Sequence, residues 1–160
     1  MAKKRVYVES SVISYLTARP ARNDRSKVRQ HLTVMWWDRR HEWDCVVSIT
    51  VMEEIADGDP EAAARRLEKA KQLVEIPTLP NADWLAGRLV SHKLVPESAK
   101  LDAMHLAMAA VHGAHYLLTW NQKHLVNLDL RARIEDLIRK HGWTPAKVVT
   151  PGRLLSEELL

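Results

Sequence analysis

The sequence predicts an α/β fold, a three-layer α/β/α arrangement around a central, mostly parallel sheet of four to five strands. Two observations carry that expectation. Short β-type runs alternate with longer stretches of helical periodicity, as they do where crossover helices join parallel strands. At 160 residues, with 46% apolar and 28% charged side chains, the chain has the size and composition of one domain with one core, expected to span 1–160.

Arg5 to Val8 reads as the first strand, followed by a short helix from about Ser11. Asp24 can cap a helix running to about His41, with Val28, Leu32, Met35 and Trp36 at helical spacing. Asp44 to Ser48, buried through Cys45, Val46 and Val47, is the second strand. Thr50 then opens a helix across Val51 to Ala56, which Gly58 stops. Asp59-Pro60-Glu61 restarts the chain as a helix, with a cap, a proline at the first helical position and an acid in the first turn, reaching about Leu73. Val74 to Ile76 is the third strand, and Asn81 caps a helix from Ala82 to about His92.

Pro96 to Val111 is the most apolar helix, with Leu101, Met104, Met108 and Val111 on one face and Ala103, Leu106, Ala107 and Ala110 filling the others, so it is expected to be central and buried on most sides. Gly113 ends it, and Tyr116 to Thr119 is the fourth strand. An amphipathic helix from Leu128 to about His141 is stopped by Gly142, Lys147 to Val149 is a fifth strand, and Thr150-Pro151 starts a short terminal helix.

Composition narrows the function. No apolar run approaches the roughly 18 residues that cross a bilayer, so no membrane partner is expected. The opening Met-Ala-Lys-Lys-Arg-Val-Tyr-Val is too short in apolar residues for a secretory leader, and a cytoplasmic location is expected. Cys45 is the only cysteine, which rules out an internal disulfide. A net charge of +4 and a pI near 9.3 favour a polyanionic partner, because clustered Lys and Arg release counterions from phosphates.

Acids sit where the predicted strands end, and ligands of open α/β sheets bind beyond those carboxyl ends. Glu9 directly follows the first strand. Glu53, beside Glu54, lies one turn into the helix after the second strand and can point back to the same edge; its bland reading is an exposed helix acid. Asn121 comes just after the fourth strand, where it can equally cap a turn. Asp102 is embedded in a helix of alanine, leucine and methionine, where a carboxylate is costly unless compensated by an ion pair or a cation. Mg²⁺ or Mn²⁺ takes a few oxygen ligands from protein and cancels the repulsion among clustered carboxylates, which suits hydrolysis of nucleic acid.

Four blocks, in order along nearly the whole chain, resemble the PIN domains, which include the VapC-type ribonuclease toxins of prokaryotes. They are Val6-Tyr7-Val8-Glu9-Ser10-Ser11, Ser48-Ile49-Thr50-Val51-Met52-Glu53, Leu101-Asp102-Ala103-Met104-His105-Leu106-Ala107-Met108-Ala109 and Leu117-Leu118-Thr119-Trp120-Asn121. The resemblance favours Glu53 over Glu54 as the second acid. It implies a Rossmann-like sheet and an Mg²⁺- or Mn²⁺-dependent endoribonuclease, the toxin of a type II toxin–antitoxin pair, with a cognate antitoxin as partner and a homodimer as its assembly.

Carried over to this sequence, the resemblance makes Glu9, Glu53, Asp102 and Asn121 the catalytic metal ligands, with Ser11 and Thr119 holding ligands or waters by hydrogen bonds. Two positions depart from the usual pattern. The first acid is usually Asp, and Glu9 is longer by one methylene; the fourth is usually Asp, and Asn121 contributes an oxygen without charge. A branch of the family shares both the Glu opening and the Thr-Trp-Asn ending. The alternative function is a PIN-fold protein that binds RNA or a protein partner without cutting.

Other residues fall around this set. His105 lies one turn beyond Asp102 and is read as packing, as an indirect hydrogen-bonding partner or as a contact to phosphate. Lys123 and His124 lie in the loop expected over the pocket, and Arg19, Arg22, Arg25 and Arg29 are candidate phosphate contacts. Trp36 and Trp37 are expected in the core or an interface rather than stacked on bases. His112 and His115 flank Gly113 without zinc-ligand spacing, and no glycine-rich loop follows the first strand, so zinc and dinucleotides are not expected.

Overall fold

A computed structural model describes residues 2–125 and 129–157. Five strands, β1 (Arg5–Val8), β2 (Asp44–Ser48), β3 (Val74–Ile76), β4 (Tyr116–Leu118) and β5 (Lys147–Val149), form one sheet in the order β3-β2-β1-β4-β5, and every pairing is parallel. Helices α1 (Ser10–Thr17), α2 (Asp24–Asp38), α3 (Ile49–Ile55), α4 (Pro60–Ala70), α5 (Pro80–Ser91), α6 (Lys100–Val111), α7 (Gln122–Leu125), α8 (Arg131–Lys140) and α9 (Pro151–Glu157) flank it in a three-layer, Rossmann-like α/β/α arrangement. The sheet is wholly parallel rather than mostly so, and it has the larger of the expected strand numbers.

The central strands are apolar on both faces because helices cover both. Val6, Tyr7, Val8, Val46, Val47, Leu117 and Leu118 are all shut off from solvent, which is why these runs read as continuous rather than alternating. Trp36 and Trp37 stand edge to face in this core, as expected. Among the described residues no helix is long and apolar enough to cross a membrane.

Helix starts follow from capping chemistry. Glu9, Asn23, Ser48 and Asp59 each accept a hydrogen bond from a first-turn amide. Asn23, not Asp24, caps α2, and Ser48, the last residue of β2, opens α3 ahead of the expected Thr50. Pro80 rather than Asn81 starts α5, with no side-chain cap. Gly58 and Gly142 end their segments at φ +89 and +93, a backbone region that other residues enter with strain.

The helix expected over Pro96 to Val111 divides into a single 3₁₀ turn at Glu97–Ala99 and then α6. Most sides of α6 are buried, as expected of a central helix. Leu101 is exposed, and the inward residues are Ala103, His105, Leu106, Ala107, Met108, Ala109 and Ala110. Alanines allow close approach to neighbouring backbones, with Leu106 and Met108 buried among them and Met104 packed partly against the core, and of the apolar residues of α6 Leu101 alone is exposed. Residues 122–125, expected as loop, form the short helix α7, and α8 begins at Arg131 rather than Leu128, which lies outside the described residues.

Candidate functional site

The strand order changes direction at β1. The chain winds outward through β2 and β3 on one side and through β4 and β5 on the other, leaving a crevice at the carboxyl ends of β1 and β4. Glu9 stands there, its backbone N–H donating to the Leu118 carbonyl across the crevice at 3.0 Å. Glu9 as a whole is only 5% exposed: Oε2 accepts from the Ser11 amide at 2.6 Å, and Oε1 receives the Asn121 Nδ2 at 3.4 Å.

Two hydroxyls bind the exit of β4 to the start of α1. Ser11 Oγ accepts from the Trp120 amide at 2.9 Å and lies 3.4 Å from Thr119 Oγ1, which in turn accepts from the Asn121 amide at 2.9 Å. Ser11 and Thr119 therefore fix the backbone that carries Asn121 to Glu9.

The second acid at the edge is Glu54, not Glu53. Ser48 caps α3 so that Val51 and Ile55 face the core. At about 100° per residue, Glu53 then falls on the far side of the helix, while Glu54 lies beside the buried stripe. Glu53 is exposed; Glu54 is half-buried, with Oε1 2.7 Å from His105 Nε2, an ion-pair distance without the alignment of a hydrogen bond. The core pair Val51 and Ile55 is the sequence signal that separates the two neighbours.

Beneath these acids runs a buried polar chain. The Tyr7 hydroxyl sits 2.7 Å from both Ser48 Oγ and His105 Nδ1, linking β1, β2 and α6. Burial raises the Tyr7 pKa well above its ordinary range, so the phenol stays protonated. His105 is 1% exposed, so its place is behind Glu54 rather than at a substrate surface.

Asp102 lies in the first turn of α6, one turn before His105 on the same side of the helix. It is half-buried and lines an open groove of about 740 Å³ with Pro96, Ala99 and Leu130. Among the described residues, no three His, Cys, Asp or Glu side chains are already gathered as a metal-holding group.

Electrostatics define what the crevice lacks. Burial raises the pKa of Glu9, and the Glu54 charge raises it further, while hydrogen bonding from Ser11 and the proximity of His105 pull it back. Such a site is short of positive charge. Glu9 and Glu54, whose charges act on each other, offer carboxylate oxygens of the kind a hard divalent cation takes, while Asp102 lines the groove with Pro96 and Leu130. A half-turn of the Asn121 amide, which now presents nitrogen to Glu9, would present its oxygen instead.

The remaining sequence candidates separate cleanly. Arg19, Arg22 and Arg25 are exposed, whereas Arg29 packs over aromatic rings. The side chains of Lys123 and His124 lie outside the described residues. His112 Nε2 is 2.8 Å from the Pro77 carbonyl and His115 Nδ1 accepts from the Arg5 amide, so both histidines serve the fold. Comparison with known protein families and with curated proteins returned no match.

Proposed function

We propose that this chain is a metal-dependent endoribonuclease of the PIN type, hydrolysing RNA phosphodiester bonds. One observation carries the reading: a buried carboxylate, Glu9, occupies the crevice where the strand order reverses, with a second acid, Glu54, raising the cost of its charge. A divalent cation relieves that cost. Glu9, Glu54, Asp102 and Asn121 would hold Mg²⁺ or Mn²⁺, which when bound polarises a phosphodiester and makes water more acidic.

The chain's own residues supply the positioning. Tyr7 orients the His105 ring, and that ring keeps the Glu54 carboxylate at the edge of the sheet. Ser11 and Thr119 hold the turn that presents Asn121. A toxin–antitoxin setting, with an antitoxin partner and a homodimer, fits the same family likeness. Purified protein should cleave single-stranded RNA when given Mn²⁺, and Asp102→Asn should abolish cleavage. Activity that survives in that variant would contradict the proposal.

A second reading has its own observation. Asn121 stands where a fourth carboxylate would complete the acid set, and burial drives Glu9 toward its neutral form. On that reading the crevice binds RNA or a protein partner without cutting. A wild-type protein that binds RNA yet leaves it intact at millimolar Mn²⁺ would favour it.

A further inference from the structure

The positive charge of this chain is concentrated. Residues 10–38 hold five basic side chains, Arg19, Arg22, Arg25, Lys27 and Arg29, against two acids, Asp24 and Asp38, a surplus of three beside the net charge of +4 for the whole molecule. This stretch is α1, α2 and the connection between them, packed beside the Glu9 crevice. Among the described residues none of these five meets a carboxylate at ion-pair distance, whereas Arg5, Arg39 and Arg153 elsewhere do.

Arg29 ties this basic face to the acid site. Its guanidinium carbon lies 5.1 Å from the ring centre of Trp120 and 5.9 Å from that of Tyr15, and the two rings are 5.8 Å apart. Trp120 directly precedes Asn121, and its amide is held by Ser11, so the cluster stands beside the crevice. All three side chains are half-buried and keep part of their surface open to solvent. Among the described residues Arg29 makes a single long hydrogen bond, 3.4 Å to the Tyr15 hydroxyl, which leaves most of its five donors for a ligand.

Two chemistries meet here. A run of cations without carboxylate partners suits a phosphate backbone, and a planar cation beside two tilted aromatic rings suits the flat face of an unpaired base. An acidic peptide would satisfy the charges but would have no use for the rings. A duplex would hide the base faces.

We propose that Tyr15, Arg29 and Trp120 form a base-stacking subsite for single-stranded RNA beside the Glu9 crevice, with Arg22 and Arg25 on the phosphate track leading to it. The inference rests on the ribonuclease reading for the polymer it names, and it adds how that polymer is held. It requires neither metal nor turnover.

The test is fluorescence anisotropy of a labelled single-stranded oligouridine RNA, titrated with the full chain in excess EDTA so that binding is read without cleavage. Arg29→Lys keeps the charge and removes the planar fork, and should weaken binding about tenfold without changing its salt dependence. Arg22→Ala should reduce the salt slope by about one. Tyr15→Leu provides a second route should Arg29→Lys melt early, and should also weaken binding.

Wild-type affinity in both Arg29→Lys and Tyr15→Leu, with normal melting, would overturn the subsite. So would a polyglutamate peptide that binds more tightly than the RNA and loses affinity equally with Arg29→Lys. RNA that is bound through Arg29 but never cut with Mn²⁺ would support the subsite and sink the ribonuclease reading. Cleavage indifferent to Arg29 would do the reverse.

Discussion

At the scale of single residues, Glu9 sets the energetics of the crevice. Its pKa is raised in the fold, so its neutral form is favoured: the stability it contributes is fully present below the ordinary value of 4.5 and lost as pH rises through the elevated one. Metal-free Glu9→Gln should therefore melt higher than wild type at pH 7, with the difference vanishing below about pH 4.5. Adding Mn²⁺ should reverse the order, because only the carboxylate gains from the cation. Thermal melts over pH, with and without metal, check both halves. The structure sets Glu54 beside Glu9 and leaves Glu53 exposed. The sequence placed an acid pair after β2, but choosing between adjacent residues requires knowing which side of α3 is buried, and that is fixed by Val51 and Ile55 against the sheet. Glu54→Gln should lower cleavage at least about a hundredfold, as loss of a catalytic electrostatic group does, while Glu53→Gln should leave it near wild type.

At the scale of elements, the site depends on how strand ends pass into helices. Ser48 is both the last residue of β2 and the cap of α3, and its hydroxyl also meets Tyr7. Ser48→Ala should cost about 1–2 kcal/mol in chemical denaturation, the usual range for a lost cap, and should reduce activity by loosening α3 and with it Glu54. Such junctions were legible where chemistry is local: Asp59-Pro60 announced α4, and Gly58 and Gly142 marked stops. They were less legible where packing decides. The apolar spacing of α6 announced a central helix, but that Leu101 alone of its large apolar residues stands exposed depends on which neighbours pack against it. His105 could be placed near Asp102 from spacing, but its bond to Tyr7 joins residues 98 positions apart, which no local pattern encodes.

At the scale of the whole molecule, the alternation of strands and helices was enough to foresee a layered α/β fold, yet not its strand order. Parallel neighbours are joined only through long crossovers, so which strand lies beside β1 is decided by packing of the complete chain. That order places the exits of β1 and β4 side by side, and with them Glu9 and Asn121, residues 112 positions apart. It also sets the basic α1–α2 face beside the crevice of Glu9 and Glu54, where on the proposed reading it draws in a polyanion. RNA binding should accordingly fall steeply with salt, by about ten-fold or more between low and physiological ionic strength for several phosphate contacts. Calorimetric titration of the metal-free protein with Mn²⁺ reads the proposed cation site itself. Saturable binding is expected at or below about millimolar metal, lost in Glu54→Gln and retained in Glu53→Gln. Absence of binding in the wild type, or equal binding in the two variants, would contradict it.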